Sequence, residues 1–191
     1  MSIRSFIAIE LDKAIKGKLT RLQEDLRARA GLESEQIKWV GPDHMHLTLK
    51  FLGDVEDKYI SDICAAVTAA TEETEPFTFT IGKVGAFPER GSARVIWAGI
   101  TEGIEELREL QDAVETSLEG FPLPREDRKF SPHLTLARIK EYGAGKDVAR
   151  ALALLEPLAL GVQDVAGLTI FQSDLRRGGP IYAPLAHVNF A

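Results

Sequence analysis

Apolar residues change their spacing several times along the chain, and each change marks an element. Ser5 to Leu11 is an apolar, β-branched run that predicts a strand. Asp12 stands where it would cap a helix running to about Ala30. Leu19, Leu22 and Leu26 lie at helical spacing within it, and Gly31 is a natural stop. Ile37 to Val40 predicts a short strand and Gly41-Pro42-Asp43 a turn. His44 to Leu52 alternates as a strand that Gly53-Asp54 should end. A helix follows from about Glu56 to Thr71. Phe77 to Val84 alternates, with Phe77, Phe79 and Ile81 against Thr78, Thr80 and Gly82. Ala93 to Ile100 predicts another strand, and Gly103 to Leu118 an amphipathic helix through Ile104, Leu107, Leu110 and Val114. Pro122 and Pro124 open a charged loop. His133 to Ile139 is a strand, and about Asp147 to Leu155 a helix. Val162 to Gln172 and Ile181 to Phe190 are two last strands, separated by Arg176-Arg177-Gly178-Gly179-Pro180. The order is mixed rather than a regular strand–helix alternation, which favours an α+β fold over a doubly wound parallel sheet. No low-complexity linker divides residues 1–191, so a single domain is expected.

Composition narrows the function classes. At 45% hydrophobic residues the chain can build a core. No apolar run approaches the ~20 residues of a membrane span, and the first ten residues lack the pattern of a signal peptide. Cys64 is the only cysteine, which excludes an internal disulfide and a cysteine-rich zinc site. The expected compartment is the cytoplasm. The formal net charge of −6 argues against a protein that grips long nucleic acid. The charge is uneven, however. Between Arg125 and Lys140 stand Arg125, Arg128, Lys129, Arg138 and Lys140, against Glu126 and Asp127. A small basic pocket in an acidic protein suits a compact anion.

The strongest signal is a repeat. His46-Leu47-Thr48-Leu49 recurs as His133-Leu134-Thr135-Leu136, close to half the chain length away. Leu and Thr recur easily in strands, but a matched His does not, because the chain has four histidines. On a strand, alternate side chains share a face. His46 and Thr48 therefore point one way and the leucines the other, and the same holds for His133 and Thr135. If two lobes face each other across a cleft, two imidazoles and two hydroxyls converge. One neutral imidazole can take a proton from water and a protonated one can give a proton to a leaving oxygen. Histidine suits both tasks, with an ordinary pKa of about 6.5. Hydroxyls can hold the charge of a phosphate in the transition state. The scheme needs no metal and no cofactor. A metal site through His44 and His46 is the competing reading, but no carboxylate or cysteine cluster accompanies it. His44 otherwise reads as a surface or turn residue and His187 as structural.

These residues resemble the two-histidine phosphoesterase superfamily, and most closely the bacterial and archaeal RNA 2′,3′-cyclic phosphodiesterases, also called 2′-5′ RNA ligases. The resemblance extends over Phe6-Ile7-Ala8-Ile9, Trp39-Val40 and His46 to Gly53. It continues through Gly85-Ala86-Phe87-Pro88, Arg94 to Gly99 and Phe130 to Arg138, and ends with Ser173, Leu175 and Gly179-Pro180-Ile181-Tyr182. It implies two pseudo-symmetric lobes of antiparallel sheet with outer helices around a central cleft. It implies hydrolysis of RNA 2′,3′-cyclic phosphate ends to 2′-phosphomonoesters, with 2′-5′ joining as roughly the reverse reaction in some members. His46 would be the proton donor and His133 the proton acceptor, while Thr48, Thr135 and Arg138 would bind phosphate.

Strict alternation puts Arg138 on the leucine face, so a bulge or the strand end must turn it; the alternative is an ordinary surface charge. Phe130, in the charged loop, is a candidate for stacking on a base. Trp39, Trp97 and Phe51 read as core. Arg176 and Arg177 fit either an RNA contact or a solvated turn. The expected partners are RNA ends or nucleotides bearing a 2′,3′-cyclic phosphate, bound by a monomer with no membrane and no obligate protein partner. A non-catalytic nucleotide-binding module, or a phosphodiesterase for another small cyclic phosphate, remains the alternative.

Overall fold

In a computed structural model of the chain, residues 1–31, 36–124, 129–153, 159–176 and 179–191 are described. The elements are β1 (Ser2–Glu10), α1 (Lys13–Ala30), β2 (Ile37–Trp39), a 3-10 turn (Pro42–His44), β3 (His46–Glu56), α2 (Asp57–Thr71) and β4 (Phe77–Phe87). After these come β5 (Val95–Glu102), α3 (Ile104–Ser117), β6 (His133–Ile139), α4 (Tyr142–Ala153), β7 (Gly161–Val165), β8 (Gly167–Arg176) and β9 (Gly179–Asn189). The strands form two antiparallel sheets, β3-β1-β8-β9 and β2-β6-β5-β4-β7. This is the α+β architecture that the element order predicts. The two copies of the repeat lie one in each sheet. The lobes are not successive halves of the chain: the first sheet takes β1 and β3 from one end and β8 and β9 from the other.

Helices cover one face of each sheet. α2 and α3 pack together and against β3, while α1 and α4 pack together and reach β7, β4 and β6. Leu19, Leu22 and Leu26 of α1, and Leu107, Leu110 and Val114 of α3, are buried in the core. So are Leu47, Leu49, Leu134 and Leu136 from the repeat. Among the described residues no helix is long and apolar enough to cross a membrane.

Three predicted boundaries are corrected. The run from Val162 to Gln172 is not one strand. β7 joins the second sheet and β8 the first, and the chain changes sheet at Ala166. Gly167 permits the change, since a Cβ there would lie 2.4 Å from the Val188 carbonyl. Gly53-Asp54 does not end β3, which passes through Gly53 at φ +72 and runs on to Glu56. α4 begins at Tyr142 rather than near Asp147, and its predicted last residues lie outside the described ones. Two glycines hid that start. One of them, Gly145, lies so close to Ser92 and Ala93 that a Cβ would meet Ser92 Oγ at 2.2 Å. Gly31 does stop α1, in the left-handed conformation at φ 60. Asp12 precedes α1 without a side-chain cap; its N–H donates to Gln163 Oε1 at 2.8 Å.

Candidate active site

The two motif strands repeat more than their sequence. Along His46–Leu52 and His133–Ile139 the burial pattern is the same, residue for residue. His and Thr are half-buried and both leucines are buried. Then comes a buried residue, an exposed one and a buried one, so strict alternation fails at the same place in each copy. The pairing shows why. Against β1, Ala8 faces Thr48 and Ile7 faces Lys50, which leaves Leu49 without a partner. Against β5, Trp97 faces Thr135 and Ile96 faces Ala137, which leaves Leu136 without one. Each strand has a one-residue bulge after its Thr, and a bulge reverses the faces beyond it. Arg138 is thereby brought into phase with His133 and Thr135. The Leu136 bulge is held from outside: its carbonyl accepts from Val40 N at 2.9 Å and from Gln23 Nε2 at 2.8 Å. Gln23 is a buried residue of α1, and the same nitrogen donates to the Val40 carbonyl at 2.8 Å.

The bulge in β3 overturns one expectation. Phe51 is not core but 61% exposed, because the bulge turns it to the face of His46 and Thr48. It occupies in the first sheet the place that Arg138 occupies in the second. Trp39 packs against the core, as expected. Trp97 is half-buried on the sheet face that carries Thr135, its register partner, with its ring over two glycines. A Cβ on Gly85 or Gly99 would lie 2.3 Å or 2.7 Å from ring carbons of Trp97.

Each imidazole sits in its own surroundings. The ring of His46 stacks on Phe6 at 4.8 Å and meets Tyr182 edge-on at 5.5 Å. Tyr182 belongs to β9, at the opposite edge of the sheet from β3, so the first sheet is curled into a half-barrel. His44, in the 3-10 turn, also meets Tyr182 edge-on, at 5.1 Å, and is half-buried rather than a free surface residue. Burial among these groups lowers the His46 pKa to about 4. A hydrogen bond to the His44 backbone and the charge of Glu10, its register partner on β1, act in the opposite sense. His133 is placed differently. Its Nδ1 lies 2.7 Å from the Ser131 carbonyl, which can only accept, so Nδ1 carries the hydrogen. The neutral ring then offers the lone pair of Nε2. Phe87 meets the His133 ring edge-on at 5.4 Å.

The two motif strands come close. β3 and β6 belong to different sheets, yet their Cα atoms approach within 8 Å. Arg138 on β6 is near enough to Tyr182 on β9 for its charge to act on the phenol, whose pKa is raised by burial and lowered by Arg138. Arg138 and Tyr182, from different sheets, thus share one electrostatic environment.

The remaining candidates are dispersed. Phe130 is half-buried against the core, beside a basic cavity. Of the basic segment, Lys129 and Lys140 are exposed, while Arg125 and Arg128 lie outside the described residues, as does Arg177. Arg176 donates from Nε to Asp174 at 2.8 Å. His187 is exposed and joins a small network. The Thr169 hydroxyl donates to Glu10 Oε1 at 2.8 Å, so His187 Nδ1, at 2.9 Å, must donate to the hydroxyl oxygen. Among the described residues no group of three His, Cys, Asp or Glu is arranged to hold a metal. The residues that sequence reasoning missed are Phe6, Glu10, Gln23, Phe87 and Tyr182. Phe6, Phe87 and Tyr182 lie in recognised segments but read there as strand formers; nothing in the spacing of Gln23 sets it apart from other polar helix positions.

The sequence matches the family described as LigT like phosphoesterase over residues 9–97 and 99–182. It is 31% identical over 187 residues to the RNA 2′,3′-cyclic phosphodiesterase of Methanothermobacter thermautotrophicus, covering 97% of each chain. The fold is similar to that of the TT0787 protein of Thermus thermophilus, with a TM-score of 0.80, 27% identity and 97% of each chain covered. It is similar also to E. coli LigT complexed with NADP+, with a TM-score of 0.75, 25% identity, and 100% of this chain and 99% of that one covered.

Proposed function

The chain belongs to the LigT-like phosphoesterase family, and on that premise we propose that it hydrolyses RNA 2′,3′-cyclic phosphate ends to 2′-phosphomonoesters, with His46 and His133 as the acid–base pair. The observation that carries this reading is the duplicated strand. Two H-L-T-L motifs with the same burial and the same bulge stand in different sheets whose motif strands approach within 8 Å.

The reaction breaks the P–O3′ bond and forms a P–O bond to water. His133 is suited to accept the water proton, because its Nδ1–H is committed to Ser131 and Nε2 keeps a lone pair. His46 gives a proton to the departing O3′. With a pKa of about 4 it is neutral at pH 7 before substrate arrives, protonated about one part in a thousand. Protonating it there costs about 4 kcal/mol. A phosphate anion about 4 Å from the ring returns about 4 kcal/mol at an effective dielectric constant of 20. The substrate itself therefore charges the acid. Thr48 and Thr135 donate to non-bridging oxygens and Arg138 offsets their charge. No metal or cofactor enters this scheme. With a 5′-hydroxyl in place of water the same steps yield a 2′-5′ bond. The substrates are RNA ends or nucleotides with a 2′,3′-cyclic phosphate, taken by a cytoplasmic monomer.

The test is to offer the protein, in chelator, an oligonucleotide ending in a 2′,3′-cyclic phosphate and to identify the product by ³¹P NMR. A 2′-phosphomonoester is expected, and none from His46→Ala or His133→Ala. Binding without turnover would leave a nucleotide-binding module. Turnover only of small cyclic nucleotides would move the substrate class.

A further inference from the structure

A cavity of about 270 Å³ adjoins the second motif. Among the described residues three cations line it, Lys83, Arg108 and Lys129, and no carboxylate does. Ser131 and Pro132, the residues leading into His133, line it too. Among the described residues Arg108 pairs with Glu105, while neither Lys83 nor Lys129 has an acidic partner. Three like charges around one small space repel one another, in a chain whose net charge is −6. Such an arrangement is relieved by an anion.

The sheet fixes where that anion would lie. His133 faces Gly99 on β5, and Gly99 faces Lys83 on β4. Lys83 and His133 are thus two strand spacings apart, about 10 Å. Gly99 between them has no side chain, and the Lys83 stem lies over it. A Cβ on Gly99 would be 2.6 Å from Lys83 Cε and 2.7 Å from Lys83 Cγ. The lysine is laid across the gap toward the row that holds His133. A ligand joined to the phosphate at His133 and carrying a second negative group about one nucleoside away would meet this cavity.

We infer that the cavity bounded by Lys83, Arg108 and Lys129 binds the phosphate on the 5′ side of the terminal nucleoside, one step upstream of the cyclic phosphate. This rests on the phosphodiesterase reading above. Amines and a guanidinium give charge-assisted hydrogen bonds to phosphate oxygens and read no base. The cavity therefore makes the protein selective for chain ends and 5′-phosphorylated nucleotides over bare cyclic nucleosides. It holds a single phosphate, which reconciles RNA as substrate with the acidic chain.

Three substrates separate the contributions: a nucleoside 2′,3′-cyclic phosphate with a 5′-hydroxyl, the same compound with a 5′-phosphate, and a dinucleotide ending in the cyclic phosphate. With the wild-type protein, kcat/KM should rise about tenfold from the first to the second, carried by KM, and stay high for the third; tenfold corresponds to 1.4 kcal/mol. The gain should shrink between 50 and 200 mM salt. In Lys83→Ala/Lys129→Ala it should fall below about twofold, with turnover of the 5′-hydroxyl compound unchanged. Both lysines are exposed, so the fold should tolerate their loss, and matched urea midpoints check that it does. A gain only with the dinucleotide would show that a base, not a phosphate, is recognised and would overturn the inference. Equal rates on all three substrates, or a variant slowed equally on all, would also overturn it. If the wild-type protein turned over none, the phosphodiesterase reading itself would fall.

Discussion

Acid should unfold this protein through His46. In the folded chain burial beside Phe6 and Tyr182 lowers its pKa to about 4, whereas the unfolded chain has the ordinary value of 6.5. Between those values the unfolded state binds a proton that the folded state refuses, so stability falls as the pH drops from about 6.5 toward about 4. At about 1.36 kcal/mol per pH unit the full loss is about 3 kcal/mol. Carboxylates titrate in the lower part of the same window, so the contribution must be isolated by difference. Urea unfolding at intervals from pH 7 to pH 4, on the wild type and on His46→Gln, gives a stability difference at each pH. That difference should change by about 3 kcal/mol across the window in favour of the variant. Tyr182→Ala should recover part of it, because it opens one side of the imidazole to water, and NMR titration should then show the His46 pKa moved upward. A difference independent of pH, or a wild-type His46 that titrates near 6.5, would refute the claim that the aromatic wall holds this ring neutral.

Thr48→Val and Thr135→Val should each lower the rate on the order of 10²-fold, measured as kcat with folding checked by circular dichroism. Gln23→Met removes a donor from the bulge carbonyl of Leu136. It should raise KM about tenfold through misplacement of Arg138 while leaving kcat within about twofold, and cost about 1–3 kcal/mol in urea unfolding. Lys50 Nζ, 5% exposed, lies 2.6 Å from Glu115 Oε1. Glu115→Ala should therefore cost about 3–5 kcal/mol by the same measure, since it strands a buried ammonium. An activated leaving group needs no acid, so it should rescue His46→Ala and not His133→Ala; rescue of His133→Ala alone would exchange the two roles.

The legible parts of the sequence were those set by local pattern. β6 begins at His133 and ends at Ile139, the bounds its sequence predicts, and α1 stops at Gly31. The four motif residues face as period-two spacing requires, because the leucines opposite them have a core to enter. What pattern could not give was any change of phase. A bulge has no fixed composition. Leu49 and Leu136 look like ordinary strand residues, so Phe51 reads as core. Arg138 needed a bulge that the resemblance could only motivate. The break at Ala166 was hidden for the same reason. Val162 to Gln172 is compatible with one strand, and the close passage of Gly167 beside Val188 is a tertiary fact. The aromatic wall around His46 comes from β1 and β9, whose side chains meet only because the sheet curls.

That curl also gives two identical motifs different surroundings. Each supplies an imidazole, a hydroxyl and two buried leucines, and neither contains anything that makes one His an acid and the other a base. The difference comes from neighbouring strands. β1 and β9 bring Phe6, Glu10 and Tyr182 to His46, where burial by the two rings favours a neutral imidazole that a bound anion can charge. The loop before β6 brings the Ser131 carbonyl, which fixes a tautomer and leaves a lone pair exposed. Beyond the two bulges the symmetry breaks again, with an exposed Phe51 on one side and Arg138 on the other. Arg138 adds a cation in phase with His133 and Thr135, whereas the corresponding position in the first sheet carries none. Charge reversal at Arg138 should therefore raise KM more than Phe51→Ala does, because only the arginine offsets phosphate charge.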